Sequence, residues 1–162
     1  MAETKRLYYE DACLTEFEAD VVERREHDGR PAVVLDRTAF YPESGGQPWD
    51  KGELGGAAVV EVHELDGAIL HVLDRPVEGE RLHGRVDWPT RFDHMQQHTG
   101  QHVLSQAFFE VLEGETRSFH LGPEVSTLEI GLASASEANL DKVEDRANAI
   151  VWEDRAVKIS FV

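Results

Sequence analysis

The segment His98-Thr99-Gly100-Gln101-His102 holds two imidazoles four residues apart. On a helix that spacing sets both side chains on one face, one turn apart, where they can grip a single metal ion. Spacing alone is weak evidence, because any histidine-rich helix produces it. His94 lies four residues before His98, but eight residues of helix span roughly 12 Å, so it cannot share one ion with both. His98 and His102 share their helical face with Met95, which predicts a face turned to the protein interior. A lone interior histidine reads most simply as a hydrogen-bonded core residue. The pair, flanked by the polar Gln97 and Gln101, reads as two metal ligands. Catalytic zinc usually takes three protein ligands, and within this sequence only His120 follows to offer another imidazole.

A second element lies upstream, in Phe40-Tyr41-Pro42-Glu43-Ser44-Gly45-Gly46-Gln47-Pro48. Adjacent glycines let backbone approach a ligand closely, and the Gln47 amide can read donors and acceptors. The plain alternative is a tight corner that needs positive φ. For the loop alone, that alternative is the stronger reading.

These elements must be held by the rest of the chain. At 162 residues it is one ordinary domain or two small ones, with 41% hydrophobic and 30% charged residues, the profile of a soluble globular protein. No apolar run approaches the roughly 18 residues of a membrane span, and the N-terminus lacks the pattern of a signal peptide. Cys13 is the only cysteine, which fits a reducing cytoplasm. With 32 acidic against 16 basic residues the net charge is −16, the wrong sign for long-range attraction to nucleic acid. Contact with RNA would have to come from a local patch.

The period of the sequence changes at Trp88-Pro89. Residues 1–88 alternate over short stretches broken by Asp28-Gly29, Asp66-Gly67 and the segment Pro76 to Gly79, which predicts five or so strands in a small β-barrel. Residues 89–162 predict an α+β layer. Its first helix has Thr90 and Asp93 as a capping box, Phe92, Met95, Thr99, Val103, Ala107 and Val111 inward, and Gly114 as its end. Strands follow near Thr116 to His120 and Val125 to Leu132. A helix from about Ser136 to Arg155 should turn Leu140, Val143, Ala147, Ile150 and Val151 inward, before a strand over Ala156 to Val162.

Taken together, these motifs resemble one family. Thr38, Phe40-Tyr41-Pro42, Gly45-Gly46-Gln47 and Asp50-Lys51-Gly52 are similar to the start of the alanyl-tRNA synthetase editing region and of its free-standing AlaX-type relatives. Val86-Asp87-Trp88, Met95 to Ser105, Ser118 to Gly122 and Ser126 to Ile130 match the family's later segments in the same order. The resemblance covers nearly the whole chain. It implies an α+β fold, a small β-barrel followed by the editing module of threonyl- and alanyl-tRNA synthetases. It also implies zinc-associated hydrolysis of the ester joining Ser or Gly to alanine tRNA.

By motif position, His98 and His102 are metal ligands and zinc the cofactor. Thr38 sits at the amino-acid pocket, Gln101 is a catalytic residue between the two ligands, where synthetase domains more often carry Thr, and Gly45, Gly46, Gln47 and His120 bind substrate. The glycine loop and the histidines are expected to line one cleft. The family completes its zinc site with a downstream Cys-x-x-x-His that this sequence lacks before Val162, so the expectation is the N-terminal part of a longer editing protein. Nothing in the chain supports ATP-dependent charging. Two other readings stay open, a non-catalytic RNA- or partner-binding module of the same fold and a metal-dependent hydrolase of another small ester or amide.

Overall fold

The computed structural model describes residues 3–122 and 124–157. The chain divides into two compact units, Met1–Met95 and Gln96–Val162, so the division falls inside a helix rather than at Trp88-Pro89. No helix among the described residues is long and apolar enough to cross a membrane.

The first unit opens with strand β1 (Lys5–Arg6), a single 3-10 turn, and the long β2 (Glu16–His27). Strands β3 (Arg30–Leu35), β4 (Arg37–Thr38), β5 (Gly52–Leu54), β6 (Ala57–Leu65), β7 (Ala68–Leu73) and β8 (Arg81–Val86) follow. β1 pairs in parallel with β4. The other six pair antiparallel in the order β2-β3-β7-β6-β5-β8, and β8 returns to β2 to close a barrel. A bulge between Val21 and Glu23 bends β2, whose first half pairs with β8 and whose second half pairs with β3.

Two-residue turns close three of the hairpins. Asp28-Gly29, Gly55-Gly56 and Asp66-Gly67 all have positive φ at both positions, the type I′ geometry that matches strand twist. The main barrel strands fall where expected, although β7 is buried at every position instead of alternating, and β1, β4 and β5 are strands that the sequence pattern did not mark. Gly84 stands opposite Phe17 across β2 and β8, and a Cβ there would lie 2.4 Å from the Phe17 ring. One apolar cluster gathers Phe17, Leu35, Phe40, Leu54, Ile69, Leu73 and Val86; another, of Ala32, Val34, Ala68, Leu70 and Val72, lies on the opposite face of β3 and β7.

Helix α1 (Trp88–Leu112) begins in the first unit. Its cap is Asp87, whose carboxylate accepts the Thr90 N–H at 3.1 Å and the Thr90 hydroxyl at 2.5 Å, so the expected Thr90–Asp93 box is not the one used. At the other end Glu113, not Gly114, takes the left-handed conformation. Gly114 is needed for space, because its Cβ would meet Ile130 at 2.7 Å.

The second unit continues with β9 (Glu115–His120), β10 (Thr127–Gly131) and α2 (Glu137–Trp152), the two strands pairing antiparallel. The α+β class is the one observed. The expected inward faces are only partly so. Ala107 and Val143 are buried, but Phe92, Leu140 and Val151 are exposed. Residues 156 and 157 are irregular, and the remainder of the expected last strand lies outside the described residues.

Candidate functional site

The glycine loop is a tight turn. Gln47 donates its backbone N–H to the Ser44 carbonyl at 2.9 Å and Ser44 returns one to Gln47 at 3.1 Å, with φ of +55° and +84° at Gly45 and Gly46. A Cβ on Gly45 would meet nothing within 4 Å, so its glycine answers a demand of backbone conformation. Gln47 is buried. The corner reading of this loop therefore holds, and what a ligand would find at its tip is open backbone.

What anchors the loop is an ion pair that sequence reasoning missed. Asp50 and Arg91 are both buried. Asp50 accepts the Tyr41 N–H at 2.6 Å and the Arg91 Nε–H at 3.0 and 3.1 Å, and it also contacts Arg91 Nη2. The remaining Arg91 donors reach the carbonyls of Ala12 at 2.8 Å and Ala39 at 2.5 Å. One guanidinium thus ties the first turn of α1 to three loop segments of its own unit. A buried charge is tolerated where it is paired and its other donors are used, as here. His94 sits one turn further on, with its Nδ1 buried and without a hydrogen-bond partner. Burial holds His94 below the usual imidazole range, partly offset by Asp50 and Asp93.

Thr38 and His71 form a second buried polar pair. Both are fully inaccessible, and Thr38 Oγ1 lies 2.8 Å from His71 Nε2. His71 Nδ1 faces the Val33 carbonyl at 3.3 Å, which can only accept, so Nδ1 carries the proton and Nε2 is the acceptor. Burial pushes the His71 pKa down to about 4, which keeps the ring neutral. The Thr38 hydroxyl therefore donates to His71, accepts the Phe40 N–H at 3.1 Å, and keeps one lone pair. The signal for His71 was present in the sequence, as one histidine within the apolar run Ile69-Leu70-His71-Val72-Leu73.

In the second unit, His98 Nε2 and His102 Nε2 lie 3.1 Å apart across one turn of α1. The face is not an interior one, since His98 is half-buried and His102 exposed. The His98 ring packs against Phe119 with centroids 6.1 Å apart. Burial, and then the neighbouring His102, hold His98 below the ordinary imidazole range. Two nitrogens about 2.0–2.1 Å from one tetrahedral ion stand roughly 3.3 Å apart, so the pair fits two coordination positions. Among the described residues no Cys, Asp, Glu or further His joins them as a third donor, and that includes His120, which is exposed at the end of β9. Gln101 donates to Ser105 Oγ at 2.8 Å and lines a cavity of about 150 Å³ with Gln97, Gly100, Leu104, Phe119 and Ser126. Neither imidazole lines that cavity.

A family model described as tRNA synthetases class II (A) matches residues 2–90. The chain is 36% identical to the alanyl-tRNA editing protein AlaX-M of Methanosarcina acetivorans, over 98% of this chain and 69% of that protein. The chain belongs to the alanyl-tRNA synthetase and AlaX editing family. It is also 36% identical to AlaX-L of Pyrococcus horikoshii, over 96% of the chain and 40% of the relative. With the alanine–tRNA ligase of Pyrococcus furiosus it shares 39% identity over 98% of the chain, which is 18% of the ligase. The chain thus spans less than half the length of these last two relatives. Within this editing-family chain, Thr38 and the glycine turn belong to the first unit, and His98, Gln101, His102 and His120 to the second.

Proposed function

We propose that this chain supplies the hydrolytic site, or its major part, for removing serine or glycine wrongly esterified to alanine tRNA. The observation that carries the reading is the His98–His102 pair, two converging ring nitrogens 3.1 Å apart, in a chain similar along nearly its whole length to an editing protein.

His98 and His102 would hold zinc, with further ligands from outside the described residues. Bound there, the ion supplies a Lewis acid that orients the substrate amine or polarises water. Burial and the neighbouring His102 lower the His98 pKa, which favours the neutral imidazole that ligation requires. Thr38 serves selectivity. Its hydroxyl donates to His71, so the remaining lone pair is preset to accept a hydrogen bond from a seryl hydroxyl, which alanine lacks. Because Thr38 is fully buried, its use demands local opening around it. The glycine turn of Gly45 and Gly46, with Gln47, presents backbone to the 3′-terminal nucleotide. Gln101 and His120 hold the substrate's polar groups. The acidic surface supplies no long-range attraction, so tRNA docks through local contacts.

The test is deacylation of serine-, glycine- and alanine-loaded alanine tRNA with zinc supplied. The seryl and glycyl esters should be cleaved in preference to the correct alanyl ester. The double variant His98→Ala, His102→Ala should lose that activity, and Thr38→Val should erase the serine preference over alanine. Unchanged cleavage in the double variant would overturn the assignment. Binding of alanine tRNA without any cleavage would select the non-catalytic reading instead.

A further inference from the structure

A second cluster of potential ligands lies on the barrel, within the first unit and apart from the residues discussed so far. His27 ends β2, while Glu61 and His63 stand two apart on β6 and therefore share one face of that strand. The ligand atoms of all three lie within 4.8 Å of one another. β2 and β6 are not hydrogen-bonded neighbours in the sheet, so the cluster is made by the end of the β2–β3 hairpin reaching β6.

We propose that His27, Glu61 and His63 form a binding site for a divalent transition-metal ion of the zinc, cobalt and nickel class. Two imidazoles and one carboxylate are the donor set that these borderline ions favour over magnesium or calcium, which prefer oxygen alone. His63 Nε2 already lies 2.9 Å from Glu61 Oε2, so these two donors stand at ligand spacing. The His27 and His63 rings sit with centroids 5.2 Å apart at 45°. All three side chains are about one-third exposed, partly desolvated yet reachable by an ion from solvent. A tetrahedral ion needs donors roughly 3.3 Å apart, so the most widely separated pair must close by at most about 1.5 Å, within reach of side-chain rotation.

Two charged neighbours set the terms. Arg30 Nη1 is 3.9 Å from Glu61 Oε1 and must swing outward, which its exposed position permits. Asp28 Oδ2 is 3.8 Å from His27 Nε2 and adds negative charge at the rim. Three protein ligands leave a coordination position open to water or to an exogenous donor. A bound ion would cross-link the hairpin end to β6 and so stabilise the barrel by mass action.

The experiment uses the full chain carrying His98→Ala and His102→Ala, so that the helix pair contributes nothing. Cobalt titration is followed by its visible absorption, and zinc by calorimetry and thermal unfolding. One equivalent should bind, with a tetrahedral or five-coordinate cobalt spectrum, and the melting temperature of the barrel should rise with metal. Adding His27→Gln, Glu61→Gln or His63→Gln should each abolish the bound equivalent while circular dichroism stays unchanged. No binding in the helix-pair variant overturns the proposal, whatever the fate of deacylation. So does retention of the equivalent in Glu61→Gln, which would leave only two surface histidines chelating an ion. If a glutamine variant fails to fold, the metal-dependent rise in melting temperature of its folded parent decides the matter alone.

Discussion

The two units differ in how they treat polar groups. The barrel unit buries Thr38, Asp50, His71 and Arg91 and gives each a partner, with His94 Nδ1 left over, while no polar side chain is buried among the described residues of the second unit. Apolar burial differs in the same direction. Strand β7 is buried at every position, on both faces of the sheet. Among the described residues of the second unit only Ala107, Leu121 and Val143 are buried apolar side chains, and Phe109, Leu140, Val151 and Trp152 are left exposed. A dense core with satisfied polar pairs fixes geometry tightly, whereas a thin one opens locally at low cost. The Thr38 hydroxyl lies in the densely packed unit, so the proposed use of it in selecting serine needs an opening that this core resists. The histidine pair sits on the looser one, where a metal ion could itself supply the missing order.

The sharpest way to break this contrast is to remove a buried charge. Arg91→Ala leaves Asp50 ionised and unpaired and should cost about 3–5 kcal/mol, seen as a lowered urea midpoint for the barrel. Arg146→Ala breaks a 2.5 Å pair with Glu110 on the exposed surface of the second unit and should shift that midpoint hardly at all. Equal effects would mean that the two units do not differ as described.

Core truncation comes next. Leu70→Ala in β7 should cost about 2–5 kcal/mol. Val143→Ala in α2 removes fewer carbons from a thinner core and should cost less. Denaturant unfolding, followed by probes in each unit, compares the two.

Acid sharpens the contrast further. His71 has a folded pKa of about 4, below its ordinary value of 6.5. The unfolded chain therefore binds a proton, as pH falls from 6.5, that the folded chain refuses until about 4. Barrel stability from this residue is full above pH 6.5 and falls by about 3 kcal/mol on the way to pH 4. His71→Gln should flatten that part of the slope relative to the parent, as read from unfolding midpoints across the range. An unchanged slope would show that the ring is not kept neutral by burial.

The smallest effect has the opposite sign. Gly100 lies within α1, and a Cβ there would meet nothing within 4 Å. Gly100→Ala should stabilise the second unit by about 0.5–1 kcal/mol, measured by its melting temperature. A loss would imply that the cavity it lines does not tolerate a methyl group.

The sequence by itself determined the features that depend on near neighbours in the chain. Strand alternation and the Asp-Gly turns are local, because a type I′ turn needs positive φ at two adjacent residues. The His98–His102 approach follows from helical pitch, and the glycine turn from backbone conformation at Gly45 and Gly46. The ordered motifs carried the family, since they are read without knowing where any residue lies.

Contacts between distant segments were decided only by the tertiary structure. Asp50 and Arg91 are 41 residues apart and Thr38 and His71 are 33 apart, and no periodicity links either pair. His27 meets Glu61 and His63 only because the end of a hairpin reaches β6. The helix faces went partly astray for a related reason. Apolar spacing marks which residues could be buried, but burial needs a surface that covers them, and Phe92, Leu140 and Val151 stay exposed among the described residues.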